Sequence, residues 1–220
     1  MFVGHYGIGL AAKRFAPQTS LGTMVLAALL ADLLAWTLVI AGIEHFAIKT
    51  GITATNPLDL YDYPISHSLA TDAVWGALLA AGYYFVRRYW SGSLLIFLVV
   101  LSHWFLDFIA HRADMPLMPG IPRYYGLGLY NSRIGMIVVE GLIWLGGVVI
   151  YVRATTSKKR LRTVVFWTGV AVLTWLWLFS LKGLPPPGTI EQVAISSLAF
   201  MSVTVVWAHW IDDMRVVKNE

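Results

Sequence analysis

The sequence predicts an all-α polytopic membrane protein, with a bundle of about six transmembrane helices and a short N-terminal re-entrant or interfacial helix. The chain of 220 residues is 58% hydrophobic and 13% charged, with a mean hydropathy of +0.68. Soluble domains are about 45–50% apolar and about 25% charged. The apolar residues also fall into long runs separated by short loops rich in proline, glycine or basic residues. We therefore interpret residues 1–220 as a single integral membrane domain.

Six apolar runs are long enough to cross a bilayer, which takes roughly 17–25 helical residues. They cover approximately 21–43, 68–86, 93–111, 133–152, 163–181 and 190–211. Residues 1–12 precede them and are too few to span. We expect this segment to lie along the membrane interface or to turn back at Lys13–Pro17 as a re-entrant half-helix.

The formal net charge of +4 could suggest nucleic acid as a partner, but the basic residues lie in short loops between apolar runs. That distribution is typical of charges that orient a protein in a bilayer, so we expect no nucleic acid partner. Alternate loops carry most of these residues, including Lys13–Arg14, Arg87–Arg88 and the stretch 153–162. The positive-inside rule then places both termini in the cytoplasm and loops 44–67 and 112–132 outside.

Several ionisable residues lie inside the apolar runs, where they are costly and indicate a functional site by default. They are Asp32, Asp72, His103, Asp107 and Glu140. At about 1.5 Å per helical residue, their heights above the cytoplasmic span ends agree at roughly 16–22 Å. A re-entrant N-terminal segment would bring His5 to about 18 Å, and His67 and His111 would lie at roughly 28–30 Å. The spans therefore predict one polar layer in the outer half of the bilayer.

The third run contains the clearest ligand pattern, in the stretch "SHWFLDFIAHR" at 102–112. His103, Asp107 and His111 are four residues apart and lie one above another on a helix face. An i, i+4 pair can bind a cation from one face, as paired histidines do in helical zinc sites. The chain has no cysteine, so a metal here would use imidazole and carboxylate, which suit zinc, iron or manganese.

Some of these residues also have interpretations without catalysis. Asp72 and Glu140 could form hydrogen bonds between helices, and Asp72 could complement the helix dipole at the start of its span. His67 could be an interfacial residue, and Arg112 could extend to the membrane surface. Three other polar positions are interpreted as ordinary helix termini: the cluster "HWIDD" at 209–213, Glu44 and His45.

Four motifs occur in an order that resembles a known family. They are "GHYGIG" near the N-terminus, "LLADLL" around Asp32, "YPISHSL" around His67 and "LSHWFLDFIAHRADMPLMPG" around His103. This pattern resembles the inner-membrane metal-dependent hydrolases that are distantly grouped with zinc-dependent phospholipase C. The similarity covers about residues 1–145, which we regard as the metal-site core, with two additional spans within 160–211.

The resemblance implies a location in the inner (plasma) membrane of a prokaryote and a set of metal ligands. The matching positions are His5, Asp32, His67, His103 and Asp107. Leu33 and Leu34 stand where family members often carry a second acid, and Asp62–Tyr63 stand where many carry a His-Arg pair. His111 and Glu140 could supply compensating ligands, so we expect one or two divalent transition metal ions, with zinc the first candidate.

The leading hypothesis is a membrane-embedded metal-dependent hydrolase that cleaves a phosphodiester or ester bond in a lipid or lipid-linked substrate. It would use a metal-activated water, because a bound metal lowers the pKa of its water towards neutrality. Asp72 or Glu140 would be the general base, and Arg112 could hold a phosphate at the outer rim. Two alternatives are an ion- or proton-coupled transporter that uses the same polar layer and a catalytically inactive interaction protein.

Overall fold

The computed structural model describes residues 1–157, 159–212 and 215–217. It confirms the helical membrane bundle: five helices are long and apolar enough to cross a membrane, and a bent pair of shorter helices can supply a sixth span. Lys158 and Asp213, which belong to the basic and polar stretches considered above, lie outside the described residues.

Eight α-helices form within the described part of the chain. They are α1 Val3–Ala12, α2 Leu21–Ala28, α3 Leu30–Ile40, α4 Leu69–Arg87, α5 Trp90–Ala110, α6 Arg133–Ala154, α7 Arg160–Ser180 and α8 Ile190–Asp212. Strands are minor and form antiparallel pairs: β1 His45–Ile48 with β2 Leu58–Asp62, β3 Met115–Pro116 with β4 Tyr124–Tyr125, and β5 Thr155–Ser157 with β6 Arg215–Val217. The first two pairs lie at the end of the bundle where α5 ends and α6 begins.

Serine residues fix where three of the helices begin. The side chains of Ser20, Ser68 and Ser132 accept hydrogen bonds from backbone N–H groups three residues later, at the starts of α2, α4 and α6. A serine in this position satisfies an N–H group that the first helical turn leaves without a partner. The loop sequences therefore determine the starts of these helices locally.

Helix α1 is buried inside the bundle and contacts α2, α5 and α6. Of the two expectations for residues 1–12, the structure therefore matches the buried half-length helix and not the interfacial one. Its backbone touches that of α6: a Cβ added to Gly147 would lie 2.1 Å from the Gly7 carbonyl oxygen, and one added to Gly7 would lie 2.6 Å from the Ile143 carbonyl oxygen. Glycine at both positions allows this close approach.

A buried ion pair joins the ends of α1 and α8. The Lys13 ammonium donates to Asp212 Oδ2 at 2.6 Å and to the Thr19 carbonyl oxygen at 2.9 Å. The same Asp212 oxygen accepts from the backbone N–H of Leu21, the first residue of α2, at 2.8 Å. Asp212 is therefore more than an ordinary polar helix terminus, because one carboxylate connects α1, α2 and α8.

The predicted first span, 21–43, is broken into α2 and α3, which meet at an angle of 57°. The break falls at Leu29, between residues that include neither proline nor glycine. It places Asp32 in the first turn of α3, where the helix dipole stabilises a negative charge. It also leaves the carbonyl of Ala28 at the end of α2, where helix carbonyls lack intrahelical partners.

The two C-terminal spans are packed into the bundle. Helix α8 contacts α2 and α3, and α7 contacts α8 at a close crossing. At this crossing, a Cβ added to Gly169 would lie 2.3 Å from the Trp207 ring. The same ring stacks on Phe166, with ring centroids 6.4 Å apart. Residues 160–211 therefore pack against helices of the predicted metal-site core.

We expect Gly147→Val to destabilise the protein because its side chain would collide with the α1 backbone at Gly7. Overpacking of this kind costs about 1–3 kcal/mol. Gly146→Val is the matched control, because an added Cβ there meets nothing within 4 Å. Thermal unfolding in detergent measures both variants, and equal stability of the two would contradict the proposed backbone contact.

Candidate metal centre

Asp107 of α5 lies at the centre of a buried cluster of four histidines. Its Oδ2 atom is 3.3 Å from His103 Nε2, 3.6 Å from His111 Nε2 and 3.8 Å from His67 Nε2. Its Oδ1 atom lies 3.1 Å from His5 Nε2. The structure therefore brings together the N-terminal helix, the loop before α4 and the ladder of α5. It places His67 and His111 beside Asp107, closer to the polar layer than their estimated heights suggested.

Asp32 completes a four-atom set with His67, His103 and Asp107. Its Oδ1 atom is 3.5 Å from His67 Nε2 and 3.8 Å from His103 Nε2. These separations, with those to Asp107 Oδ2, exceed ordinary N–H···O hydrogen-bond lengths. Zinc bonds of about 2.0–2.1 Å in a tetrahedron place neighbouring ligand atoms about 3.3–3.4 Å apart. The four imidazole-to-carboxylate distances are therefore close to those between neighbouring ligands of a four-coordinate metal site.

Hydrogen bonds to the other ring nitrogen orient His103 and His111. His103 Nδ1 lies 2.8 Å from the Ala28 carbonyl oxygen, and His111 Nδ1 lies 3.1 Å from Asp114 Oδ1. Each Nδ1 must donate because these partners are acceptors, and in a neutral imidazole this leaves the Nε2 lone pair facing Asp107. Metal-binding histidines are commonly oriented by carbonyl or carboxylate partners in this way.

His67 is oriented through a relay from Glu44. The Ser66 hydroxyl donates to Glu44 Oε2 at 2.6 Å, so it accepts from His67 Nδ1 at 2.8 Å. Glu44 Oε1 also accepts from the backbone N–H groups of Ile65 and Ser66, both at 2.8 Å. Glu44 is therefore a buried supporting residue and not the ordinary helix terminus that the sequence suggested. The position of Ser66 directly before a candidate ligand was the available signal.

His5 lies beside the four-atom set. Its ring stacks on that of His103, with centroids 3.8 Å apart and planes 4° apart. Its Nε2 atom also lies 3.0 Å from the amino nitrogen of Met1, which donates to Asp107 Oδ1. His5, His103 and Asp107 form one group whose ligand atoms all lie within 4.8 Å of one another, and Asp32, His67 and His103 form another. The two groups share His103.

His103 Nε2 is a buried atom with no hydrogen-bond partner within the described residues. Most buried polar atoms in proteins have such a partner. A lone pair that faces Asp32 and Asp107 without a hydrogen bond is the arrangement expected of an atom reserved for a cation. The burial and orientation of His103 thus agree with its place in both groups.

Glu140 accepts three hydrogen bonds at the start of α1. Its Oε1 atom accepts from the backbone N–H groups of Phe2 and Gly4, and its Oε2 atom accepts from Trp177 Nε1 at 2.6 Å. A carboxylate at this position complements the N-terminal end of the helix dipole. Both oxygens are thus engaged in positioning α1 and α7, which favours the helix–helix interpretation.

Asp72 and Arg112 differ from the cluster residues in their surroundings. Asp72 is fully buried in the first turn of α4, and neither carboxylate oxygen has a hydrogen-bond partner within 1–157, 159–212 and 215–217. The Arg112 guanidinium pairs with Asp59 and with Asp114, the latter at 3.0 Å. Arg112 therefore joins β2 to the segment after α5. The catalytic roles of Asp72 and Arg112 stay predictions without geometric support.

A cavity of about 590 Å³ extends from the cluster. Its polar floor includes Asp32, His67, Asp107 and His111, and Glu140 also faces it. Its walls are mainly apolar side chains from α3, α7, α8 and the β1–β2 hairpin. Neither Asp72 nor Arg112 is among the described residues that line it. The cavity therefore offers an acidic and imidazole-rich end to a ligand with an apolar body.

Tyr63 forms part of the wall beside His111. Its hydroxyl lies 3.3 Å from His111 Nδ1 and 3.2 Å from Asp114 Oδ1. Burial, reinforced by the Asp114 carboxylate, raises the pKa of the Tyr63 phenol well above its ordinary value. The hydroxyl therefore keeps its proton and can donate it to Asp114, which strengthens the support of His111.

Comparisons with protein-family models, curated proteins and solved structures find no match for this chain. The family resemblance of its motifs therefore stays a prediction. The spacing of the ligand atoms, the orientation of the imidazoles and the shape of the cavity carry the functional argument.

We expect Glu140→Ala to unfold more easily than the wild type because it leaves the N–H groups of Phe2, Gly4 and Trp177 without their acceptor. Each buried group left unpaired costs about 1–3 kcal/mol. Glu140→Gln is the control, since its amide oxygen can still accept and its loss of stability should be smaller. Thermal unfolding in detergent compares them, and wild-type stability of Glu140→Ala would show that these bonds do not position α1.

Proposed function

We propose that this chain is a membrane-embedded metal-dependent hydrolase that acts on a phosphodiester or ester bond of a lipid or lipid-linked substrate. The observation that carries the proposal is the four-atom set of Asp32, His67, His103 and Asp107, in which the imidazole-to-carboxylate distances are 3.3–3.8 Å. A divalent transition metal is the natural partner of such a set, and zinc is the first candidate because it favours four ligands that include imidazole and carboxylate.

The supporting residues favour a metal over a network of protons. Acceptors hold Nδ1 of His67, His103 and His111, so the neutral forms of these imidazoles direct three lone pairs towards the same carboxylate. These partners come from the end of a broken helix and from two loops. They hold each imidazole in a fixed direction, as outer partners of metal ligands do. A second ion would draw on His5 and the other oxygen of Asp107.

A divalent metal bound here would supply a water of lowered pKa and would polarise an oxygen of the scissile bond. The residues that line the cavity determine which part of a substrate would reach the metal. The acids and imidazoles of the floor are adjacent to apolar walls, so the scissile group of a bound lipid would lie at the floor. Of the two predicted general bases, Glu140 lines the cavity, whereas Asp72 does not.

We expect the purified wild-type protein to retain a divalent transition metal and the His103→Ala/Asp107→Asn variant to lose it. Elemental analysis of protein in detergent measures both. The matched control is His45→Ala/Asp62→Asn, which removes a His–Asp pair 2.8 Å apart whose side chains are 49% and 46% exposed on the hairpin. That control should retain the metal.

A wild-type protein without tightly bound metal would contradict the hydrolase proposal. Metal retained by the His103→Ala/Asp107→Asn variant would contradict only the ligand assignment. Hydrolysis of a panel of phospholipids, with and without a chelator, then distinguishes an enzyme from an inactive metal protein, since activity must disappear with the metal and return when it is restored.

Ser66→Ala should weaken metal binding without removing a ligand, because it breaks the relay that holds His67 Nδ1. Loss of such an outer partner typically lowers metal affinity by roughly 10–100-fold. Ser68→Ala is the control: it removes the hydroxyl that caps α4 through Thr71, so it should lower stability and leave metal affinity unchanged. Competition with a chelator measures affinity, and equal values for the two variants would exclude the relay.

A further inference from the structure

The cavity that begins at the Asp107 cluster, which is Asp107 with the histidines and Asp32 around it, continues between the two C-terminal helices. Leu176 and Phe179 of α7 line it from one side, and Ser197 and Phe200 of α8 line it from the other. Phe179 is 46% exposed on the surface of the bundle, and Leu184, just after α7, is 58% exposed. Residues that face the cavity therefore also reach the surface, which indicates a lateral opening between α7 and α8.

The packing of α7 and α8 explains why the opening lies at this end. At the opposite end of the pair, Trp207 packs against Gly169, stacks on Phe166 and donates from Nε1 to the Val165 carbonyl oxygen at 3.4 Å. The helices are joined there, whereas the segments 176–181 and 193–201 enclose the cavity between them. The pair thus forms a cleft that widens towards the cluster.

The hydroxyl groups beside this cleft do not make it polar. Ser180 donates to the Trp177 carbonyl oxygen at 2.7 Å, and Ser196 donates to the Val193 carbonyl oxygen at 3.0 Å. Serine hydroxyls bonded to their own helix need no partner from a ligand. Apart from Ser197, the remaining surface of the cleft on α7 and α8 is aromatic and aliphatic, and it belongs to helices apolar enough to lie against hydrocarbon.

We infer that a hydrocarbon chain of the substrate enters sideways from the bilayer through the α7–α8 cleft, while the ester or phosphodiester of the same lipid lies at the Asp107 cluster. This inference rests on the proposed function and specifies its substrate as a lipid bound through its chain. The volume of about 590 Å³ is within the range of pockets that enclose one drug-sized molecule. One chain therefore fits in the cavity, and any second chain stays in the surrounding lipid.

The test uses lysophosphatidylcholine with a diazirine at the end of its acyl chain, because this lipid contains one chain, an ester and a phosphodiester. The purified full-length protein is placed in lipid nanodiscs, irradiated and digested, and the labelled peptides are identified by mass spectrometry. We expect label on the segments 176–186 and 193–201, and we expect excess unlabelled lysophosphatidylcholine to remove it.

Ser197→Trp fills the cleft and should lower this labelling by at least about tenfold, the loss expected when two methylene groups are kept out of an apolar cavity. Ile195→Trp is the matched control, since Ile195 is 58% exposed on the same turn of α8 and does not line the cavity. Its labelling should equal that of the wild type. A Ser196→Trp variant repeats the test if Ser197→Trp loses its thermal stability.

Equal labelling of the folded Ser197→Trp and Ile195→Trp variants would overturn the inference. Label in the wild type that excess unlabelled lysophosphatidylcholine does not remove would also overturn it, because that label would come from lipid around the bundle. The experiment is then repeated with His103→Ala/Asp107→Asn. Competable labelling of the cleft in that variant supports lateral entry even where the metal analysis contradicts the hydrolase proposal, so the two failures can be distinguished.

Discussion

An ionised carboxylate inside an apolar bundle must be matched by surrounding donors or cations, because its transfer out of water is costly. Asp107 is the point at which this requirement shapes the structure. Its Oδ1 atom accepts from the Met1 amino group, and its two oxygens face four imidazoles from three separate segments. Two features bring those segments together. The half-length helix α1 packs against α6 with the backbones in contact at Gly7 and Gly147, and the loop before α4 places His67 beside Asp107. The half-length helix and the loop before α4 thus both contribute residues around one buried charge.

The break between α2 and α3 also positions residues of the cluster around Asp107. A continuous helix through Leu29 would satisfy its own carbonyls and would place Asp32 in a helix interior. The broken one leaves Ala28 to accept from His103 and gives Asp32 the positive end of α3. Two features of the cluster therefore depend on a single bend. Breaks of this kind are tolerated at membrane depth where they line a cavity.

Hydropathy and spacing were sufficient to predict the spans and the ladder of α5, because both depend on local periodicity. The common depth of Asp32, Asp107 and a re-entrant His5 predicted that these residues would lie close together, whereas His67 was assigned to the site by the resemblance of its motif. The break at Leu29 was not predictable from "LAALLADLL", where tertiary contacts override helix propensity. The role of Glu44 was missed for a similar reason, since only the folded loop brings it to Ser66. The tertiary fold also places α7 and α8 around the cavity.

The placement of α1 has a consequence for how the protein is made. This segment is translated first, yet its partners are among the last: Gly7 packs on α6, the Tyr6 hydroxyl lies 2.9 Å from Thr204 Oγ1 of α8, and Lys13 pairs with Asp212. Such contacts between distant parts of the chain form late because the intervening residues must be ordered first. We therefore expect α1 to reach its final position, and His5 to reach Asp107, late in folding.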